Sequence, residues 1–275
     1  MSEPVAPSAS GHVLRRVAQV RDGSVRQAED VLAEEMPVSV QYDGAGFAVM
    51  MATPQDLVDF VYGFSLTEGR AAPGDIVDVQ VQTLLEGIVL DIRTRTPKAP
   101  DADTARNLPG RSGCGICGSR LLEDVVRRPA RVQGGVSIGH GALEAALAGL
   151  AERQPLAAAT GATHAAAWAL ADGRLLLVRE DVGRHNALDK LIGAMLRAGI
   201  DPAGGFALVT SRASYEMVTK AATAGIGLLA AISAPTALAV HLAEDCGLTL
   251  AGFVRPGRHV VYSHPHRLVA VASPS

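Results

Sequence analysis

An α/β fold is predicted for this 275-residue chain by three observations. Beyond residue 160, short apolar runs alternate with amphipathic stretches at the spacing of strand-helix units. Glycines and capping residues punctuate the places where those helices should begin and end. Hydrophobic residues make up 48% of the chain, enough to bury one large core or two small ones.

Residues 1–12 have no basic start and no apolar run, so they are expected to be a disordered tail and not a secretion signal. Strands are predicted at 38–40 and 47–51. Thr53-Pro54 then opens a helix with Leu57, Val61 and Phe64 on one face, Thr53 as its N-cap and Gly69 beyond its end. Alternation returns at 88–92, and the stretch 93–120 is rich in Pro, Gly, Thr, Arg and Asp without a period. A loop of that length in a compact protein is usually functional or disordered.

A helix at 142–153 places Leu143, Ala146, Leu147 and Leu150 at the helical spacing. Strands at 165–170, 175–178, 207–210, 228–232 and 249–254 follow, separated by helices at 186–197, 214–224 and 235–245. Ser214 and Ser233 are read as caps, and Gly225 and Gly247 as helix ends. The expected organisation is a smaller N-terminal β-containing domain at 13–110, a flexible Cys-x-x-Cys loop at 111–120 and an α/β domain at 121–275. No repeat decides whether 13–110 forms its own domain or extends the same sheet.

Charge narrows the function. Lys plus Arg total 25 against 28 Asp plus Glu, and a net charge of -3 gives no field for nucleic acid or an anionic membrane. The most apolar stretch, 224–240, is broken by Gly225, Gly227, Ser233 and Pro235 and is a poor membrane span. Neither nucleic acid nor membrane is an expected partner, and the cytoplasm is the expected location.

Three cysteines cannot form a disulfide scaffold, which leaves thiol chemistry. Cys114 and Cys117 lie three apart, among Gly113, Gly115 and Gly118 and between Arg111 and Arg120. Such a pair can share a metal, close a disulfide, or divide the roles of nucleophile and resolving partner. Nearby arginines favour the reactive thiolate. A structural zinc site needs four ligands, and a second Cys-x-x-Cys is missing; His164, His185, His264 or His266 would have to complete it. A thioredoxin-like motif would sit between a first strand and a helix, which this context does not offer. Cys246, at the end of an apolar helix, is read as a packed thiol.

Three polar stretches fall where strands give way to helices or turns, the place where open α/β sheets bind ligands. The first is 179–186 as a whole, against a local reading in which Asn186 caps the helix and Arg184 pairs with Asp181. In 210–217, Ser211 and Arg212 precede a helix N-terminus suited to phosphate. In Phe253-Val254-Arg255-Pro256-Gly257-Arg258, two arginines flank a Pro-Gly turn that either grips a diphosphate or is a solvated hairpin.

Taken together these residues resemble the FdhD family of sulfur carriers, accessory sulfurtransferases for formate dehydrogenase. The likeness is carried by 35–40, Thr53-Pro54 with Gly63-Phe64 and Thr67-Glu68-Gly69, and the Cys114-Gly115-Ile116-Cys117-Gly118 loop. It continues through His164, Glu180 to Ala187 with Asp189-Lys190, Arg212 to Val218, Ser233 to Thr236 and Gly252 to Arg255. Ser211 departs from the pattern, which leads one to expect Gly there.

The resemblance implies a cytidine-deaminase-like three-layer α/β/α sheet and a homodimer. It implies sulfur received from a cysteine desulfurase and delivered to a bis-molybdopterin guanine dinucleotide molybdenum cofactor bound for formate dehydrogenase. On it, Cys114 holds a persulfide, Cys117 assists, and the 253–258 turn contacts the cofactor, with Ser211 and Arg212 as further contacts. The deaminase-like fold raises a rival zinc hydrolase, but His164-Ala165-Ala166 lacks the glutamate such enzymes need. A third reading is a non-catalytic cofactor chaperone.

Overall fold

The computed structural model describes residues 11–97 and 128–269, so Cys114 and Cys117 lie outside the described residues. The chain opens with a hairpin of β1 (His12–Arg21) and β2 (Ser24–Ala33), turning through Asp22 and Gly23 at φ 49 and 78. Two successive positive φ values are what a tight two-residue hairpin needs, and Asp-Gly tolerates them. His12, placed in the expected tail, is already strand.

A second sheet comprises β3 (Met36–Tyr42), β4 (Ala45–Ala52), β5 (Ile76–Thr83) and β6 (Ile88–Thr94) in the order β4-β3-β6-β5. Its core, with Val38, Val40, Phe47, Leu90 and Ile92, is closed by Phe60, Val61 and Phe64 of α1 (Leu57–Thr67). This helix starts later than its Thr53-Pro54 opening predicts. Asp56 is its N-cap, and Thr53 instead serves a long-range contact.

The remainder runs β7 (Ile138–Gly139), α2 (His140–Ala151), α3 (Pro155–Thr160), β8 (His164–Leu170), β9 (Leu175–Asp181), α4 (Arg184–Arg197) and β10 (Gly205–Val209). It continues with α5 (Tyr215–Thr223), β11 (Leu228–Ala231), α6 (Ala237–Cys246), β12 (Thr249–Arg255), β13 (Arg258–Ser263) and β14 (Leu268–Val269). Six of these strands form one sheet, β13-β12-β11-β10-β8-β9, with β10, β11 and β12 parallel. The N-terminal sheet is thus separate and does not extend this one.

Both faces of the large sheet are covered, which explains why its strands read as continuous apolar runs. Ala166, Trp168, Ala207, Val209, Leu229 and Leu250 face α4, α5 and α6. The alternate residues Ala167, Phe206, Leu208, Ala230 and Ala251 face α2. Helices on each side of a central sheet give the expected three-layer α/β/α arrangement. Gly247 ends α6 at φ 75 as anticipated, but Thr236 and not Ser233 caps its start, accepting from Ala239 N–H. Ser214 sits at the N-cap of α5 without a side-chain cap bond.

The two sheets are joined where α1 crosses α4. Gly63 and Gly193 meet there so closely that a Cβ on Gly193 would lie 1.8 Å from the Asp59 carbonyl oxygen. Only hydrogen side chains permit that approach. Charges surround the crossing: Asp59 accepts from Arg179 Nε at 2.8 Å and from Arg197 Nη1 at 2.5 Å. Lys220 of α5 donates to Thr67 Oγ1 at 2.9 Å and lies 2.8 Å from Asp189 Oδ2. Burial weighs against charge on Asp189 and Lys220 alike; Asp189 and Glu68 outweigh it at Lys220 and hold the ammonium protonated.

Candidate functional site

Strands β9, β10, β11 and β12 end, and β8 begins, along one edge of the large sheet. The loops there are stitched in sequence. Thr210 N–H donates to Ala165 O at 3.0 Å and Ile232 N–H to Val209 O at 2.9 Å. Ala213 N–H donates to Ala234 O at 3.2 Å, and Phe253 N–H to Ser233 O at 3.2 Å. His164 pairs in register with Asp181. The motifs around His164, 180–187, 210–217, 233–236 and 252–258, scattered over almost a hundred residues of sequence, therefore share this edge. It is where open α/β sheets take ligands.

The 180–187 motif divides into a buried and a partly open half. Lys190 Nζ lies 2.7 Å from Asp181 Oδ2, both side chains fully buried, and donates to Thr53 O at 3.0 Å. Asp181 also accepts from Thr53 N–H, Gly183 N–H and Asn186 Nδ2. Thr53 Oγ1 in turn accepts from Val182 N–H. This half fastens the N-terminal segment to the sheet edge, with Asp181 paired to Lys190, and Gly183 instead of Asn186 holds the N-cap of α4. Glu180 accepts from Leu156 and Ala157 N–H, anchoring the start of α3.

The open half carries His185, whose Nε2 lies 2.7 Å from Glu216 Oε2 in the first turn of α5. Spacing did not suggest that pair, because its members are on different elements. His164 sits beside this group: burial, reinforced by the charges of Arg184 and His185 and opposed by Asp181, pushes its imidazole below the ordinary range. Arg212 is exposed, whereas Ser211 is buried and its hydroxyl donates to Arg212 O at 3.1 Å. The hydroxyl at this unexpected serine is thus used within its own loop.

The 253–258 turn closes the row. Pro256-Gly257 occupies its centre with Gly257 at φ 74, the pattern of a type II turn. Phe253 holds φ 52 at a β-bulge and is 42% exposed. A bulky residue in the left-handed region costs on the order of 1–3 kcal/mol, and such strain gathers at functional sites. Arg255 Nη1 donates to Ile232 O and Val254 O, which aligns its guanidinium over the neighbouring loop; Arg258 is exposed. Val254 faces inward and packs in the core. Cys246 is buried, its thiol pushed up by burial, and packs with α6 as expected.

The site residues expected from sequence are therefore partly assembled. Ser211, Arg212, Phe253, Val254, Arg255, Pro256, Gly257 and Arg258 lie on adjoining loops of one edge, while Cys114 and Cys117 fall outside the described residues. No helix among the described residues is long and apolar enough to cross a membrane.

Comparison with known proteins agrees with this architecture. A model of the FdhD/NarQ family matches residues 33–269. A Xanthomonas campestris pv. campestris (strain B100) protein named sulfur carrier protein FdhD is 55% identical over 99% of both chains. A Cupriavidus necator protein of the same name is 50% identical, over 99% of this chain and 97% of its own. A crystal structure from Desulfotalea psychrophila, put forward as a formate dehydrogenase accessory protein, superposes with a TM-score of 0.74. It covers 94% of this chain and 99% of its own at 22% identity, a likeness of fold alone. With a family match spanning most of its length and half or more of its residues shared with such relatives, the chain belongs to the FdhD/NarQ family.

Proposed function

We propose that this protein is a cytoplasmic sulfur carrier for the maturation of formate dehydrogenase. The thiolate of Cys114 attacks the terminal sulfur of a cysteine desulfurase persulfide, forming Cys114–S–SH and releasing the donor's thiolate. The terminal sulfur then passes to the bis-molybdopterin guanine dinucleotide molybdenum cofactor, held as acceptor substrate before its insertion. It either bonds to the acceptor as a nucleophile first, after which Cys117 attacks the inner sulfur and breaks the S–S bond, or is expelled as hydrosulfide by that same attack; in both routes the Cys114–Cys117 disulfide closes and supplies the two electrons. The working unit is a homodimer.

The names of the relatives support the sulfur-carrier role. The structural observation that carries the reading is the convergence of the 210–217, 233–236 and 252–258 segments on one sheet edge, with Phe253 strained and exposed there. Arg212, Arg255 and Arg258 supply cationic groups suited to the phosphates of a guanine dinucleotide. Ser211, Phe253, Val254, Pro256 and Gly257 shape that dock.

Cys114→Ala tests the carrier role. The variant is expected to fold and bind guanine nucleotide as the parent does, but to leave formate dehydrogenase immature. Full maturation by the variant would make the protein a non-catalytic cofactor chaperone.

A further inference from the structure

The 253–258 turn is gripped from beneath by the first turns of α2, through residues that belong to none of the motifs at the sheet edge. His140 and Glu144 stand four apart on that helix and so share a face. Glu144 Oε1 accepts from Gly257 N–H, at the apex of the turn, at 3.1 Å. His140 Nδ1 lies 2.8 Å from His259 Nε2, one residue past the turn, with the rings tilted 32° and their centroids 4.8 Å apart. Two imidazole nitrogens at that separation share one proton: one ring donates N–H and the other accepts. With both rings doubly protonated, two N–H groups and two positive charges would face each other and the contact would open.

We propose that His140, Glu144 and His259 form a proton-sensitive clasp that positions the 253–258 turn for a phosphate-bearing ligand. The ligand part of this inference rests on the turn being the guanine-nucleotide dock. The titratable groups that act on His259 are His140 and Glu144 on α2; Arg258 precedes it in the chain and pairs in register with Arg255, and β12, its sheet neighbour, places Gly252, Phe253 and Val254 alongside. Burial and His140 hold the His259 imidazole below its ordinary range, against the pull of Glu144. The clasp is therefore closed at neutral pH and opens on acidification.

The test uses the full-length protein with GDP as probe, from about pH 8 to about pH 5. Two quantities are read: the protection of the Gly257 amide against hydrogen exchange, and the GDP dissociation constant. Because the nucleotide phosphate itself titrates near pH 6, the informative quantity is the difference between the parent and His259→Gln. The glutamine keeps a hydrogen-bonding group but cannot titrate. On acidification the parent is expected to lose Gly257 protection, and its GDP affinity to fall at least about fivefold more than that of His259→Gln. Glu144→Gln should weaken Gly257 protection at every pH. Equal pH profiles of Gly257 protection in the parent and His259→Gln overturn the clasp. A protection change without GDP binding at any pH upholds the clasp and removes the dock reading instead.

Discussion

Substituting Gly193 by Ala probes how the two sheets are held together. The new Cβ would stand 1.8 Å from Asp59 O, 2.7 Å from Asp59 C and 2.8 Å from Gly63 N, all backbone atoms that no side-chain rotation can clear. Ordinary contact begins at 3.4 Å, so α1 and α4 must part by about 1.6 Å. A gap of that size forfeits a large share of the dispersion contacts along the crossing. It also stretches the Arg179–Asp59 pair and the 2.8 Å bond from Thr67 to Asp189. Overpacking alone costs about 1–3 kcal/mol. With a buried charge network loosened as well, we expect roughly 3–5 kcal/mol. For a protein of this size that lowers Tm by roughly 5–10 °C in calorimetry or circular dichroism. Gly141→Ala is the control: a Cβ there meets nothing within 4 Å, and alanine in a helix should be neutral or add up to about 1 kcal/mol. A Tm for Gly193→Ala within about 2 °C of the parent would refute the claim that this glycine contact sets the helix separation.

Lys190→Met leaves Asp181 buried without its cation and should cost about 3–5 kcal/mol, read as a fall in denaturation midpoint. Asp181→Asn in the same background should recover part of it by removing the stranded charge; no recovery would contradict the pairing. Stability should also fall with acid. His164 titrates below its unfolded value near 6.5, so between those two values the unfolded chain binds more protons and stability rises with pH. Acidification through about pH 6.5 therefore removes stability, and His164→Gln should flatten the melting temperature against pH in that window.

The strands that could be read locally are those buried on both faces. The runs in β8, β10, β11 and β12 are apolar throughout their interiors, with His164, Thr249 and Arg255 only at strand ends, because helices cover each side, so composition alone marks them. Turn chemistry was equally local: Pro256-Gly257 and Gly247 take the conformations their residue types favour. The hairpin β1–β2 is not marked by local composition, because its positions mix Arg, Gln and Val, and Leu14, Val20 and Val25 remain exposed, although Asp22-Gly23 is a turn signal. Val77, Val79 and Val81 alternate with polar residues and could have marked β5.

Side-chain partners were far less legible. Thr53 has the residue type and position of an N-cap, yet its hydroxyl serves Val182, far along the chain. Lys190 looks like a surface residue of α4 until the N-terminal segment covers it and brings Thr53 O within 3.0 Å. The His140–His259 contact likewise joins residues on different elements. Such pairings arise only when the sheets and helices dock, and no local spacing records them. The cysteine pair was the reverse, prominent in sequence while its surroundings lie outside the described residues.

The central claim is that the Cys114–Cys117 loop carries transferable sulfur. Intact-protein mass spectrometry after incubation with a cysteine desulfurase and cysteine tests it most directly, with peptide mapping to place the modification. The account predicts one added sulfur, removable by reductant, on the 114–117 peptide and absent from Cys114→Ala. An unmodified mass together with stoichiometric bound zinc would contradict it.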